Sequence, residues 1–440
     1  MTENARHLAY DVLNEIQVNG AYANLALDKA LLHSSLNAND KRLTTELVYG
    51  CTKMQLHLDH VIKQYTKSKK LDKKTVIIMR MAVYQLEFLD KIPPHAVLNE
   101  AVQLAKDVGL KTDKLINALL HKIERKEETV IWPDKRRYRN QYFSKWYSFP
   151  QWLVDAWVKE YGFSDTEKLC QYFNQPAQNW LRVNTLKTSV AEVEKTLTAV
   201  EIPFQQHPFI HEAFLVKKMQ KVQASGLIEE GKVFVQDLSS MLPARILAPE
   251  KDAHVLDMCA APGGKTTYLS AIMNNSGSIT ACDLHDHRVG LIIENVKKLG
   301  VRNVKAVAGD ATKLPDNNNE SFDYILLDAP CSGLGVLNRR ADLRWRVRKS
   351  NLTEIEALQA SLLDAASRYL KKGGTMVYST CTLNKGENEL QIQRFLERHP
   401  EYELTPFSYT NGECLEGYKT IYPFIDQSDG FFIAKLRRKE

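Results

Sequence analysis

Apolar residues recur at helical spacing through the first 128 residues, then gather from residue 236 into short runs parted by helix-like stretches. The segment VIIMRMAVYQLEFL (76–89) is apolar nearly all round, which predicts a central, buried helix. In KIPPHAVLNEAVQLAK (91–106), Pro93 and Pro94 end one helix and the next starts at or just after them. Residues 1–128 therefore read as an all-helical domain. Residues 129–150 mix Arg and Lys with Trp, Tyr and Phe between Pro133 and Pro150 and read as a linker. Two uses fit that mixture: stacking on single-stranded nucleic acid, or packing onto neighbouring domains. Residues 151–235 read as a small α/β unit, with strands in WLRVNTLK (180–187) and AFLVKK (213–218) and a helix in SVAEVEKTLTAV (189–200).

The third region, 236–440, alternates between strands and helices. Strand-like runs are HVLDMCA (254–260), SITACDL (278–284), NVKAVAGD (303–310), YILLDAP (324–330) and GTMVYST (374–380). Helix-like segments at 266–273, 288–300 and 352–373 separate them. This alternation predicts a parallel sheet covered on both faces, with ligands bound beyond the C-terminal strand ends. DMCAAPGGK, Asp283, Asp310, Asp328, Cys331 and Cys381 all fall at those ends.

Composition narrows this picture without changing it. At 440 residues the chain exceeds the roughly 250 that one core usually serves. The net charge of +6 is mild, so clustering of basic residues matters more than their total. Seven cysteines, an odd number without a CxxC pair, fit neither a disulfide framework nor a zinc site and suggest a reducing compartment. No metal is implied. The N-terminus, MTENARHLAYDVLNEI, lacks a signal-peptide core, and no run of 18 apolar residues occurs. A cytoplasmic protein without a membrane partner is expected, and nothing demands more than a monomer.

DMCAAPGGKT (257–266) follows a strand and opens a helix. Gly263 and Gly264 allow close backbone approach to a ligand at a helix N-terminus. A phosphate loop, GxxxxGK[ST], fails because Cys259 occupies the first glycine position; a dinucleotide GxGxxG is also absent. Asp283, twenty residues beyond Gly263, suits ribose hydroxyls, and Asp310 at the next strand end suits an adenine amino group. Ribose binding without a phosphate loop fits S-adenosylmethionine. Each aspartate alone could equally cap a helix, but three at successive strand ends favour a site.

The remaining question is the pair of thiols in DAPCSG (328–333) and STCTL (379–383). Carbon-5 of a pyrimidine is a weak nucleophile until a thiolate adds to carbon-6, which is covalent catalysis. A free thiol is little ionised at neutral pH, so a nearby cation helps, and Lys265 is the candidate. Asp328 suits the ring nitrogen and exocyclic amine of cytosine. The second thiol suits removal of the carbon-5 proton. The residues alone do not rank Cys331 against Cys381. Cys51, Cys170, Cys282 and Cys414 read as core fillers.

DAPCSGLGV, STCTL, DMCAAPGGKT and VQDLSSMLPARIL (235–247) together resemble the RNA cytosine-5 methyltransferase family. RMAVYQLEFLDKIPPHAVLNEAVQLAK with LINALLHKI resembles the NusB RNA-binding fold, which narrows the resemblance to the bacterial branch acting on 16S rRNA. The resemblance spans essentially the whole chain. It implies a NusB-like all-α domain (1–128), a linker (129–150), a small α/β RNA-recognition domain (151–235) and a Rossmann-like class I methyltransferase domain (236–440). It makes Cys381 the nucleophile and Cys331 the residue that assists adduct breakdown. DNA cytosine methyltransferases use the Pro-Cys thiol instead. It places the cofactor on Cys259, Ala260, Ala261, Pro262, Gly263, Gly264 and Lys265, with Asp283, Asp310 and Asp328. LNRRADLRW (337–345) lacks the His-Pro pair common in the family, near 340–341. The basic cluster RRADLRWRVRK (339–349) is expected to contact phosphates. Three rival readings are another RNA target such as tRNA, a non-catalytic RNA-binding or antitermination factor, and a P-loop NTPase.

Overall fold

The computed structural model describes residues 4–67, 70–409 and 412–440, so residues 1–3 of the expected helical start lie outside it. Two compact units form: Met1–Pro176 with Leu337–Arg346, and Ala177–Val336 with Val347–Glu440. Among the described residues, no helix is long and apolar enough to cross a membrane.

The first unit is helical: α1 (Ala5–Gln17), α2 (Ala23–His33), α3 (Ala38–Lys53), α4 (Gln55–Thr66), α5 (Lys73–Phe88), α6 (Pro94–Asp107), α7 (Asp113–Glu124), α8 (Arg139–Trp146) and α9 (Gln151–Asn174). Side chains of Asn4, Asn37 and Asp72 cap α1, α3 and α5 by accepting main-chain N–H bonds. The expected central helix is α5, with Ile77, Ile78, Met79, Met81 and Val83 all buried. Gly50 lets α3 approach it, because a Cβ there would sit 2.1 Å from the Tyr84 ring. The second helix begins at Pro94, as its sequence predicts. The segment expected to be a linker contains α8, and α9, kinked at Gly162, also belongs to this unit. Its aromatic residues pack rather than wait for bases. Trp132 stands 4.7 Å from the His57 ring, 4.5 Å from His60 and 5.0 Å from Trp146; Tyr142 stacks on Trp146, and Phe143 is fully buried.

The second unit holds two sheets. The small one contains β1 (Asn179–Val183), β2 (Phe204–Gln206), β3 (Ala213–Val216) and β4 (Val233–Val235), antiparallel in the order β2-β3-β1-β4, with α10 (Val190–Ala199) and α11 (Met219–Ala224). Trp180 and Ala213 share a core with α12 (Leu238–Leu247) and α13 (Gly264–Ile272). The large sheet is built from β5 (His254–Asp257), β6 (Ser278–Asp283), β7 (Val304–Ala308), β8 (Phe322–Asp328), β9 (Leu370–Thr380), β10 (Tyr402–Leu404), β13 (Tyr418–Ile421) and β14 (Phe431–Arg438). A separate hairpin joins β11 (Phe407–Tyr409) to β12 (Gly412–Cys414). Strands β5 to β9 run parallel in the order β7-β6-β5-β8-β9. Helices α14 (Asp286–Leu299), α15 (Lys349–Tyr369) and α16 (Glu389–Arg398) connect strands in this half of the chain. The expected wholly parallel sheet needs correction: β14 inserts antiparallel beside β9, and β10 and β13 pair antiparallel with β14. The strand order reverses between β5 and β8, which opens a crevice beyond their C-terminal ends.

The basic cluster 339–349 also needs correction as a phosphate-binding surface. Arg344 is fully buried in the first unit. Its guanidinium donates to the carbonyls of Lys53 and Ser148 (both 3.1 Å), Phe173 and Leu337 (both 3.4 Å) and to Asn174 Oδ1 (3.0 Å), and lies over the Phe149 ring. Arg346 pairs with Asp342 at 2.8 Å and donates to the carbonyls of Gly20 and Ala21; Trp345 Nε1 donates to Thr52 O. Arg340, Arg348 and Lys349 remain exposed. Replacing Arg344 with Met leaves several buried carbonyls unbonded, so Arg344→Met should destabilise the first unit by about 3 kcal/mol or more. Hydrogen exchange of the α3 and α9 amides, resolved by mass spectrometry, checks this; protection equal to wild type contradicts it.

Candidate active site

Five strand ends, those of β5, β6, β7, β8 and β9, supply the site. At the end of β5 the chain turns through residues 258–263 into α13. Gly263 sits at φ +99°, and a Cβ there would press on Ile292 Cα at 3.3 Å. A Cβ on Gly264 would meet the Phe234 ring at 3.1 Å. A larger residue at either position would thus have to push a neighbour aside, and at Gly263 it would also strain the left-handed backbone. Ala260 N donates to Cys282 O and Ala261 N to Asp283 Oδ2 (3.2 Å), which binds the loop to β6.

Arg182, from β1 of the small sheet, braces the loop from behind. It is almost wholly buried, donates to Gly264 O at 2.5 Å, Thr267 Oγ1 at 3.0 Å and Gln236 Oε1, and its guanidinium lies against the Tyr268 and Phe234 rings. Burial lowers its pKa to about 10, so it stays charged at neutral pH.

The predicted aspartates have different surroundings. Asp283 is buried and ion-paired with Arg288 at 3.3 Å. Asp310 caps the short turn Ala311–Lys313 through Oδ1, with Lys313 at 3.6 Å from Oδ2; the Thr312 hydrogen bonds hold its carboxyl below the ordinary range. Asp328 accepts from Lys265 Nζ at 2.7 Å and from Ser379 Oγ at 2.8 Å. Burial alone would lower the Lys265 pKa, but Asp328, Cys381 and Asp257 outweigh it, and the ammonium sits above its ordinary value. Lys265 also lies 5.4 Å from the centre of the Phe431 ring.

Cys331 and Cys381 meet at 3.1 Å, sulfur to sulfur, with both thiols free, and the Cys381 amide donates to Cys331 Sγ. The parallel pairing of Asp328 with Ser379 sets their loops side by side. The hydrogen bond with Cys381, then burial, pushes the Cys331 pKa well up, so Cys331 keeps its proton at neutral pH. Burial likewise raises Cys259, which is consistent with its place in the loop as backbone rather than nucleophile. Cys51 and Cys170 are buried with raised pKa values, and Cys282 donates to Gly309 O. No group of metal-ligating side chains occurs among the described residues.

Sequence reasoning had assigned no role to Arg182, Gln236, Asp257, Ser379, Glu387 or Phe431. Ser379 and Glu387 stand within six residues of Cys381, and Asp257 and Gln236 lie inside DMCAAPGGKT and VQDLSSMLPARIL, so these four carried a local signal, whereas Arg182 and Phe431 did not. A glycine-bare loop, acidic strand ends and no basic cradle for phosphates suit a nucleoside cofactor without phosphates. The domain is thus of the Rossmann-like methyltransferase class. A family model described as 16S rRNA methyltransferase RsmB/F matches residues 244–437; a NusB family model matches 3–125, and a ferredoxin-like domain model of RsmF/B-like methyltransferases matches 149–223. A probable ribosomal RNA small subunit methyltransferase B of Bacillus subtilis is 35% identical, covering 99% of this chain and 98% of its own. The protein of that name from Synechocystis is 38% identical, with 99% of each covered. The crystal structure of PH0851 is 29% identical with a TM-score of 0.83 and covers 100% of each chain. NSun6 from Pyrococcus horikoshii, with SFG, is 27% identical with a TM-score of 0.60, covering 67% of this chain and 99% of its own. The chain belongs to the ribosomal RNA small subunit methyltransferase B family.

Asp257, the first residue of the loop motif, is buried and accepts one hydrogen bond, from Thr266 Oγ1 at 2.7 Å. Burial pushes its pKa up to about 7. The folded state therefore binds this proton more tightly than the unfolded chain, and the stability it contributes at low pH is lost as pH rises toward 7. Asp257→Asn removes that loss. Its stability relative to wild type should grow by about 1.4 kcal/mol per pH unit between about pH 5 and 7 and level off above. Urea unfolding at several pH values tests this, and a constant difference would refute it.

Proposed function

We propose that this protein methylates carbon-5 of a cytosine in 16S rRNA, with S-adenosylmethionine as donor and Cys381 as covalent nucleophile. The observation that carries the reading is the contact of two thiols beside the Lys265–Asp328 pair at the crevice of a methyltransferase fold. The names of its relatives supply the RNA class. The helical first unit and the small sheet are the parts that grip the RNA.

The cofactor would lie on the 259–265 loop, its ribose diol at Asp283 and its adenine near Asp310. To accept the diol, Asp283 exchanges Arg288, a half-exposed side chain with a second partner in Ala261 O. When bound, S-adenosylmethionine supplies the methyl group as an electrophile on a sulfonium, leaving as the thioether.

The chain's own residues do the rest. The target base must be exposed or flipped, at a cost of a few kcal/mol. The Cys381 thiol loses its proton to solvent, its sulfur bonds to carbon-6, and the electron pair displaced onto carbon-5 takes the methyl group. Asp328, fixed by Lys265 and Ser379, accepts from the cytosine amine, and Lys265 offsets charge on the ring. Once Cys381 is bound to carbon, it no longer hydrogen-bonds Cys331 as a thiol or thiolate. The largest cause of the high Cys331 pKa is then gone while burial still raises it, and the fraction of Cys331 that has lost its proton to solvent is the base. Its thiolate takes the carbon-5 proton, the ring double bond re-forms, and Cys381 leaves.

Each cysteine variant, incubated with S-adenosylmethionine and 16S rRNA, separates the roles. Cys331→Ala should accumulate a protein–RNA adduct on a denaturing gel. Cys381→Ala should give neither adduct nor 5-methylcytidine by mass spectrometry. The reverse pattern exchanges the two roles, and full methylation by both variants rejects the covalent route. Methylation of bulk tRNA in place of 16S rRNA would move the target while leaving the chemistry.

A further inference from the structure

The sulfur contact joins two loops that are fifty residues apart, and something must hold them in register. Residue 387 occupies the space between them. Glu387 is fully buried, and its carboxylate accepts from four donors. Oε2 takes Ser332 N at 2.9 Å and Gln359 Nε2 at 3.1 Å; Oε1 takes Ser332 Oγ at 2.6 Å and Asn384 Nδ2 at 3.1 Å. Ser332 follows Cys331 directly, and its hydroxyl also meets Thr382 Oγ1, next to Cys381, at 2.8 Å. Gln359 donates in addition to Pro330 O, the residue before Cys331. Glu387 itself is fixed from behind, since Tyr378 OH donates to its carbonyl and the adjacent Asn388 bonds both Thr380 and Thr382. Ser332, beside Cys331, thus binds the carboxylate directly, and Thr382, beside Cys381, reaches it through the Ser332 hydroxyl.

A buried carboxylate is costly unless its lone pairs are used, and here they are. Nothing about a hydrophobic core requires a charge at this point. We propose that Glu387 is the positioning residue that sets the Cys331–Cys381 contact by clamping the Pro-Cys loop to the loop that follows β9. The claim deepens the reading above, since it assumes that the two thiols act together. Only an acceptor on both oxygens satisfies it. A glutamine turns one N–H2 group toward existing donors in either orientation, forcing one loop to move. A displacement near 1 Å at reacting groups costs on the order of 100-fold in rate.

Glu387→Gln is therefore expected to lower kcat for methylation of 16S rRNA about 100-fold with the KM for S-adenosylmethionine unchanged. A second readout is independent of RNA. Diamide, which takes two electrons and two protons from a thiol pair and becomes the hydrazine, should link Cys331 to Cys381 readily in wild type, as followed by peptide mapping. The link should form about tenfold more slowly in Glu387→Gln, in step with the displaced loops. Circular dichroism reports whether the variant folds. If it does not, Ser332→Ala, which removes only the bridging hydroxyl, carries the test and should slow both readouts. Wild-type rates of methylation and of disulfide formation in either folded variant overturn the proposal. Failure of Cys331→Ala to trap an adduct would reject the covalent route alone, because the diamide reaction still reports the clamp.

Discussion

Parallel pairing of Phe322–Asp328 with Leu370–Thr380 places two strand ends side by side, and the chemistry depends on that adjacency. The register sets Asp328 opposite Ser379, so the loops that leave the two strands start level with one another. Two cysteines three residues beyond Asp328 and two beyond Ser379 then come within contact. A shift by one residue would reverse every side chain on β9 and send Ser379 away from Asp328. The neighbouring strand β5 adds the glycine-bare loop on the other side of the same edge. One sheet edge therefore gathers the cofactor loop, the lysine–aspartate pair and both thiols.

Charge is buried around this edge in a graded way. Lys265 and Asp328 face one another, Arg182 binds neutral acceptors and aromatic rings, and Glu387 binds neutral donors. Asp257 is the exception, with one donor and a raised pKa. Pairing an ion with dipoles of fixed direction stiffens a site when the dipoles come from separate segments, as Ser332, Gln359 and Asn384 do around Glu387. The site is held mainly by such tethers, and the hydrophobic core beneath supplies the floor.

Much of this was legible in the sequence because it is local. The β-loop-α turn at 257–266, the acidic strand ends and the two thiols all announce themselves within ten residues. What was hidden depends on distance along the chain. Arg182 lies 82 residues from the loop carbonyl it binds, and nothing near it marks that partner. Strand β14 was missed because FFIAKL stands alone at the chain end, and only its insertion beside β9 gives it a role. The cluster at 339–349 was misread for a different reason. A run of arginines looks the same whether it meets phosphates or backbone carbonyls, and the burial of Arg344 distinguishes the two. The linker rings left two uses open in the sequence, since a base and a tryptophan offer an aromatic residue much the same surface, and the structure shows them packed.

The first unit is not contiguous: its last piece, Leu337–Arg346, arrives 160 residues after Pro176. During synthesis helices α1 to α9 leave the ribosome before Arg344, the partner of the carbonyls of Lys53, Ser148 and Phe173. Those groups stay in water until Arg344 emerges, which happens only after most of the second unit's strands have been made. The helical unit thus cannot be completed until strands β1 to β8 of the other unit have been made, although it comes first in the chain. A nascent protein halted before residue 344 carries an incomplete helical half as well as an incomplete catalytic one.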